Sequence, residues 1–252
     1  MRLFVLVFFV FSFLFNNKTF SNINITNKPF ELQVQIKGFS NDYIKLLAFS
    51  GEQRYIADSA FVDAKGKAIF KRDSAMMKGM YFILFPDMHY AQMLLDNEQQ
   101  FSLAFDKENP VATMVVTNSL DNELLYKNLK FEAENAPKFD SLQRILNLYA
   151  KGSEEFNKTE AEHEKLVATR KAHIKWFADN YPNAFFTKFK LSGQNADIKY
   201  PKLPNGEIDE QLQSYYFRND YWKGFDFADE RILYTPVYFN KLKKYNFWEG
   251  NV

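Results

Sequence analysis

The spacing of apolar residues changes once along the chain, near Asn118, and this change limits the possible folds more than any other feature. Before Asn118 apolar and polar residues alternate, as in Phe30–Ile36, which is the pattern of strands with one buried face. After it, apolar residues recur every three or four positions, the pattern of amphipathic helices. The sequence therefore predicts an α+β protein in which a strand-rich unit precedes a helical one.

The first unit, residues 22–118, is predicted to be an antiparallel β-sandwich or a barrel-like domain. Seven or eight short apolar runs are separated by turn signals, a spacing typical of such folds. Asp63-Ala-Lys-Gly66 is predicted to form a hairpin turn, because glycine adopts a positive φ without strain. Tyr81–Phe85 is apolar throughout, as expected for a strand covered on both faces.

The second unit, residues 119–252, is predicted to be all helical. Ser119 or Asp121 can cap a first helix that carries Leu124 and Leu129. A second, separate helix is expected from Phe139 to Tyr149, and Thr159 is expected to open a long third helix. A short fourth helix is expected over 184–191, and helical spacing returns from Ile208 to Tyr221.

The first 21 residues have the features of a secretory signal peptide. Arg2 supplies the positive end, Leu3–Phe15 is an apolar run broken only by Ser12, and small residues stand at Thr19 and Ser21. A membrane anchor is the alternative, but spanning a bilayer takes roughly 20 apolar residues. We therefore predict cleavage near Ser21, a periplasmic or cell-envelope location, and no stable membrane span after cleavage.

Composition argues against several kinds of chemistry. The formal net charge of +1 offers no footprint for nucleic acid. The chain contains no cysteine, so disulfides, thiolate catalysis and cysteine metal sites are excluded. His163 and His173 are ten positions apart, which is a poor spacing for a metal pair on a helix, and we expect both to be exposed. The sequence predicts no metal, no cofactor and no catalytic constellation, and hence a protein that is not an enzyme.

Thirteen aromatic residues crowd the stretch from Tyr215 to Trp248. We expect most of these rings to be core, because aromatic side chains bury the largest apolar area; a carbohydrate-binding platform is the alternative. The acidic residues among them lack the spacing of a calcium loop, so we expect a salt-bridged turn in which Asp229 caps a helix near Glu230. The candidate interaction surface consists of Tyr221, Trp222, Phe225, Asp226, Asp229 and Arg231.

The order of the two units resembles a family of exported proteins. Motifs in both units carry the resemblance: Asp58-Ser59-Ala60, Lys65–Phe70, Gly79–Ile83, Thr117–Ser119, Tyr221–Arg231, Tyr234–Pro236 and Lys241-Leu242. They are similar to the β-rich and helical domains of unknown function that precede the thioredoxin-like domain in AhpC/TSA-type (TlpA/ResA-like) thiol–disulfide oxidoreductases of Gram-negative bacteria. That family carries its redox activity in a C-terminal Cys-x-x-Cys site, and this sequence has no cysteine.

The resemblance implies a non-catalytic accessory or docking region of such an oxidoreductase. After Tyr245 the sequence departs from the family's pattern, which predicts a truncated or frameshifted chain whose thioredoxin-like domain is missing. The expected partner is that domain or another protein, and an uncovered apolar end predicts self-association. The alternative function is a free-standing envelope module that binds a glycan or a peptide.

Overall fold

A computed structural model describes residues 28–196 and 198–249 of the chain. Strands come first and helices second, so the predicted α+β class is confirmed. The predicted signal peptide at residues 1–21 lies outside the described residues. The strands are β1 (Glu31–Lys37), β2 (Asp42–Ser50), β3 (Gln53–Val62), β4 (Lys67–Lys71), β5 (Gly79–Leu84), β6 (Tyr90–Leu95), β7 (Gln100–Asp106) and β8 (Val115–Thr117). The helices are α1 (Pro110–Thr113), α2 (Leu120–Leu148), α3 (Glu154–Asn180), α4 (Phe185–Ser192), α5 (Glu210–Asp220), a 3₁₀ helix (Glu230–Tyr234) and α6 (Pro236–Glu249).

The strands form two four-stranded sheets. The first has the order β4-β1-β7-β8 and the second has the order β3-β2-β5-β6. Every pair is antiparallel except β1 with β7, where Glu31 lies opposite Gln100 in a parallel register. The prediction of a purely antiparallel unit needs this correction. Parallel neighbours require a long crossover, and here the whole second sheet lies between β1 and β7 in the sequence.

The core lies between the two sheets and follows from the alternation in the sequence. In β1 the apolar positions Leu32, Val34 and Ile36 are buried, while Gln33 and Gln35 point outward. The second sheet contributes Ile44 and Leu46, which are likewise buried. Burial of one such side chain stabilises the fold by about 1.5–3 kcal/mol.

The predicted turn between β3 and β4 forms around Gly66. Its φ is +77°, and a Cβ there would lie 2.2 Å from the carbonyl oxygen of Ile36. The Asp63 carboxylate accepts hydrogen bonds from the amides of Lys65 and Lys67, both at 2.8 Å. Glycine is therefore required twice over, by the backbone conformation and by the close approach of β1.

The two helices predicted before Gly152 are a single helix, α2, which continues through Pro137. Proline removes one amide from the helical ladder, so the carbonyl of Ala133 loses its partner. Ala133 and Pro137 are exposed, and water can satisfy that carbonyl. Helix α3 begins at Glu154, before the predicted start at Thr159, because Ser153 caps it through the amide of Phe156.

The first turn of α2 seals an open edge of the second sheet. Strand β6 is the edge strand of this sheet. The side chain of Asn122 is fully buried; its oxygen accepts a hydrogen bond from the backbone amide of Leu94 at 2.9 Å, and its nitrogen donates to the Leu94 carbonyl at 2.7 Å. Gln92 lies two positions before Leu94 along β6, and its carbonyl accepts a hydrogen bond from the Tyr126 hydroxyl at 2.8 Å. Side chains of α2 thus replace a neighbouring strand and satisfy groups that would otherwise be orphaned.

The 3₁₀ helix covers one end of the outer face of the second sheet, and Phe239 of α6 lies against the β2–β3 turn at Gly51. A Cβ on Gly79 would lie 2.6 Å from the Cβ of Tyr234, so the first residue of β5 must be glycine for the two to touch. The amide of Gly51, in the β2–β3 turn, donates to the carbonyl of Leu233. Met80 and Leu94, which point to this face, are buried. The strands and the helices therefore share one continuous apolar core.

Candidate functional site

The aromatic stretch near the end of the chain packs on itself. Tyr221 is buried and its hydroxyl donates to the carbonyl of Lys241 at 2.8 Å. The Trp222 ring touches five aromatic rings, with centroid distances from 5.1 to 6.2 Å: Tyr221, Phe225, Phe227, Tyr238 and Tyr245. Of the predicted surface, Tyr221 and Trp222 therefore pack the end of α5 against α6.

One part of the stretch remains open to solvent, and we call it the Trp222 cluster: Trp222, Phe225, Asp226 and Phe227. The Phe227 side chain is 63% exposed although its ring lies 4.7 Å from that of Phe225. Asp226 accepts from the amide of Ala228 and lies 3.4 Å from Lys188. In this cluster an exposed ring packs against neighbouring rings and lies beside the half-exposed carboxylate of Asp226. Such an arrangement suits contact with another molecule.

Asp229 and Arg231, also predicted at the surface, tie the helices to the sheet. Asp229 caps the 3₁₀ helix through the amide of Arg231, as predicted. The Arg231 guanidinium binds both Asp229 oxygens, at 2.7 and 2.6 Å, and reaches Asp96 after β6 at 2.7 Å. Burial opposes ionisation of Asp229, but the hydrogen bonds and charge of Arg231 outweigh it and lower the pKa of this carboxyl. These two residues are largely buried and act in packing.

A cleft of about 400 Å³, lined by both acidic and apolar residues, lies beside this bridge, and sequence reasoning missed it. It is bounded by the β6–β7 turn, the start of α2 and the α3–α4 connection. Asp121, predicted as a possible cap of its own helix, instead accepts from the amide of Phe186 in α4 at 2.8 Å. Burial raises the pKa of Asp121 to about 6, and the nearby carboxylates of Asp96 and Glu98 act in the same direction. Glu98 itself accepts from the amide of Leu120 and so caps α2.

The two helix histidines are less exposed than predicted. His173 is half-buried, its ring stacks on Phe131 at 3.8 Å, and burial lowers the pKa of its imidazole. His163 lies against the ring of Phe139 at 5.7 Å. Aromatic neighbours across α2 and α3 account for both positions. Within the part of the chain that the structure describes, no group of three or more acidic or histidine side chains could hold a metal ion.

The outer faces of the two sheets differ in character. The first sheet shows solvent mainly polar side chains such as Gln33, Gln35 and Ser102. The open part of the second sheet is apolar, with Tyr43, Phe61 and Tyr90 exposed at 55%, 49% and 47%. We call this region the aromatic face; it consists of Tyr43, Lys45, Leu47, Phe61, Phe82 and Tyr90. The sequence did not distinguish it, because its residues come from several strands. Tyr81–Phe85, predicted to be covered on both faces, instead leaves Phe82 and Leu84 partly exposed on this side.

No described helix is both long enough and apolar enough to cross a membrane. Comparison of the chain with protein families, with curated proteins and with solved structures found no match. The features that bear on function are therefore the exposed surfaces of the chain.

Proposed function

We propose that this chain is a non-catalytic protein of the cell envelope, serving as the accessory or docking region of a thioredoxin-like thiol–disulfide oxidoreductase. The Trp222 cluster carries the proposal: Phe227 is mostly exposed, yet Trp222 and Phe225 support its ring at 5.4 and 4.7 Å. Preformed aromatic groups lose little side-chain entropy on binding, which is why such residues dominate the energetics of protein interfaces.

Two further observations support a docking role. The chain has no cysteine, so it supplies no thiolate to attack a disulfide, and the redox chemistry would belong to a partner. Asp226 of the cluster lies 3.4 Å from Lys188, and 41% and 34% of these two side chains are exposed. Exposed charges of both signs around an apolar centre resemble the polar rim of a protein interface.

The proposal is tested by titrating the full chain with the isolated thioredoxin-like domain of an oxidoreductase from the resembling family, in a calorimeter. We expect saturable binding that Phe227→Ser and Asp226→Lys each weaken by about tenfold or more. Tyr149→Ser, at an exposed tyrosine beyond the far end of α2, is the matched control and should bind as the parent does. The chain alone should leave insulin disulfides intact.

Absence of binding, or binding that the two cluster substitutions leave unchanged, would contradict the docking role. The exposed Phe227 ring also suits a free-standing module that stacks a sugar ring or binds a peptide. A glycan array read with the parent and with Phe227→Ser separates the two functions, because a glycan signal lost in the variant supports the binding module.

A further inference from the structure

The aromatic face is a second surface, separate from the Trp222 cluster. Its exposed side chains are more apolar than those on the outer face of a sheet usually are. Strand register places Lys45 at its centre. Tyr43 and Leu47 flank Lys45 along β2, Ser59 lies opposite on β3, and Leu84 lies opposite on β5. Phe61 pairs with Tyr43, and Tyr90 pairs with Leu84. One exposed cation therefore has aromatic and aliphatic side chains on all sides except at Ser59.

The rings of this face are held by one another. Tyr43 and Phe61 meet edge to face at 5.2 Å, and Phe82 and Tyr90 stack at 4.7 Å. Contiguous exposed apolar groups of this kind are rare on monomers and mark interaction sites. The other end of the same face is already covered, because Met80 and Leu94 are buried there. The open part thus continues a surface on which the protein packs its own helices.

We propose that the aromatic face docks a segment of another polypeptide that carries apolar side chains around an aspartate or glutamate. The apolar side chains match the rings, and the carboxylate matches the Lys45 ammonium. Within the described residues no salt bridge joins Lys45 to a carboxylate. A charge that enters a desolvated interface needs a partner of opposite sign, so complementarity selects an acidic segment.

Charge also argues against a second copy of this chain as the occupant. In a twofold-symmetric interface the centre of the patch meets itself. Two Lys45 side chains would then face each other across the axis, and this repulsion disfavours the dimer. A sugar is less well matched, because its hydroxyl groups need several polar partners and those of this face are chiefly Lys45, Ser59 and the hydroxyls of Tyr43 and Tyr90.

The test selects a phage-displayed library of random linear peptides on the full chain. Phage that also bind Lys45→Glu/Phe61→Thr are removed. We expect the remaining peptides to combine aromatic or aliphatic residues with an aspartate or glutamate. A synthetic peptide of that sequence should lose affinity by about tenfold or more on Lys45→Glu and on Phe61→Thr. Exchange of its acidic residue for lysine should restore binding to Lys45→Glu.

Matched controls are Lys67→Glu and Ile69→Thr, exposed positions of β4 in the first sheet, and both should bind as the parent does. Circular dichroism melts establish that each variant is folded; if Phe61→Thr is not, Tyr43→Thr takes its place. The proposal is wrong if no peptide is enriched, if enriched peptides lack an acidic preference, or if the two central substitutions leave their affinity unchanged.

Other occupants would also overturn it. The parent and Lys45→Glu/Phe61→Thr are compared by sedimentation, on a glycan array and with phosphatidylglycerol vesicles. Self-association, glycan binding or vesicle binding that the parent shows and the double variant loses would assign the face to that occupant. Equal behaviour of the two proteins in all three measurements, together with the peptide result, supports the acidic segment. The substitutions Lys45→Glu and Phe61→Thr lie outside the Trp222 cluster. A negative result for the aromatic face would therefore leave the docking role of that cluster untouched, and the reverse is also true.

Discussion

Arg231 binds two carboxylates that are almost fully withdrawn from water, one in its own turn and one after β6. The side chains of Asp229 and Asp96 are 9% and 10% exposed. Replacement of Arg231 by methionine removes the guanidinium, which lies over the Phe185 ring at 4.8 Å. Asp229 then loses this partner, while Asp96 keeps only the Lys78 ammonium at 3.1 Å. Removal of one member of a buried ion pair costs about 3–5 kcal/mol.

We therefore expect Arg231→Met to lower the free energy of unfolding by that amount, measured by urea titration at neutral pH. Arg54→Met, at an exposed strand position, controls for the loss of an arginine and should change stability little. A loss for Arg231→Met no larger than for Arg54→Met would show that the bridge contributes nothing.

Asp121 predicts a pH dependence with a definite sign. Burial raises the pKa of Asp121 from 3.8 to about 6, aided by Asp96 and Glu98 and opposed by the Phe186 amide and Arg231. The folded state therefore binds this proton more tightly than the unfolded chain. Its contribution to stability is fully present below about pH 4 and is lost as the pH rises through 6, a change of roughly 3 kcal/mol at most.

Asp121→Asn keeps an oxygen for the Phe186 amide and removes the titration. We expect this variant to exceed the parent in stability by more at pH 7 than at pH 4.5, as measured by urea unfolding at both values. A difference between variant and parent that does not change with pH would contradict the assignment.

At the scale of elements, Asn122 joins helix α2 to the edge of the second sheet. Asn122→Leu has a similar volume but leaves the amide and carbonyl of Leu94 buried without partners. Each orphaned group costs about 1–3 kcal/mol. We expect a stability loss of that order, together with faster hydrogen exchange at the Leu94 amide.

Asn128→Leu on the same helix is the matched control for this substitution. Asn128 is also buried, but its side-chain oxygen has no hydrogen-bond partner among the described residues. Its replacement should therefore cost less than that of Asn122. Equal losses at the two positions would mean that packing, and not the edge contact, explains the effect.

The features that sequence could predict depend on residues close together in the chain. The alternation of β1, the turn at Gly66 and the cap at Asp229 are all of this kind, and the structure contains each of them. The missed features join distant residues: Asn122 meets Leu94 across 28 positions, and Arg231 meets Asp96 across 135. Nothing local in the sequence specifies such pairs, because they follow from how the sheets and helices pack.

The candidate surface divides in the same way. Composition marked the stretch from Tyr221 to Arg231 as unusual, but it could not tell which side chains face solvent. Tyr221 is buried and Asp229 and Arg231 are largely so, while Asp226 and Phe227 extend outward. The aromatic face has no local signal, because Tyr43, Phe61 and Tyr90 come from three strands and meet only when the second sheet forms.

At the scale of the whole molecule, the predicted signal peptide indicates where we expect the protein to reside. Arg2 and the run Leu3–Phe15 predict export, and cleavage near Ser21 would leave a mature chain that starts close to Asn22. Mass spectrometry of envelope fractions measures this terminus directly. A chain with an intact Met1 in the cytoplasm would contradict the prediction.

The shared core predicts how the strand-rich unit behaves alone. Met80 and Leu94 point to the outer face of the second sheet, and both are buried where the 3₁₀ helix packs on β5 and α2 packs on β6. A fragment of residues 28–118 keeps both sheets but uncovers these side chains and the edge of β6. We expect it to show strand-type circular dichroism, a lower melting temperature than residues 28–249, and self-association through the new apolar surface and the open edge.

Sedimentation of the two fragments, 28–118 and 28–249, at equal concentration measures the association. A monomeric 28–118 fragment that melts as the longer one does would mean that the strands are a fully independent domain, and a mainly helical spectrum would contradict the division near Asn118.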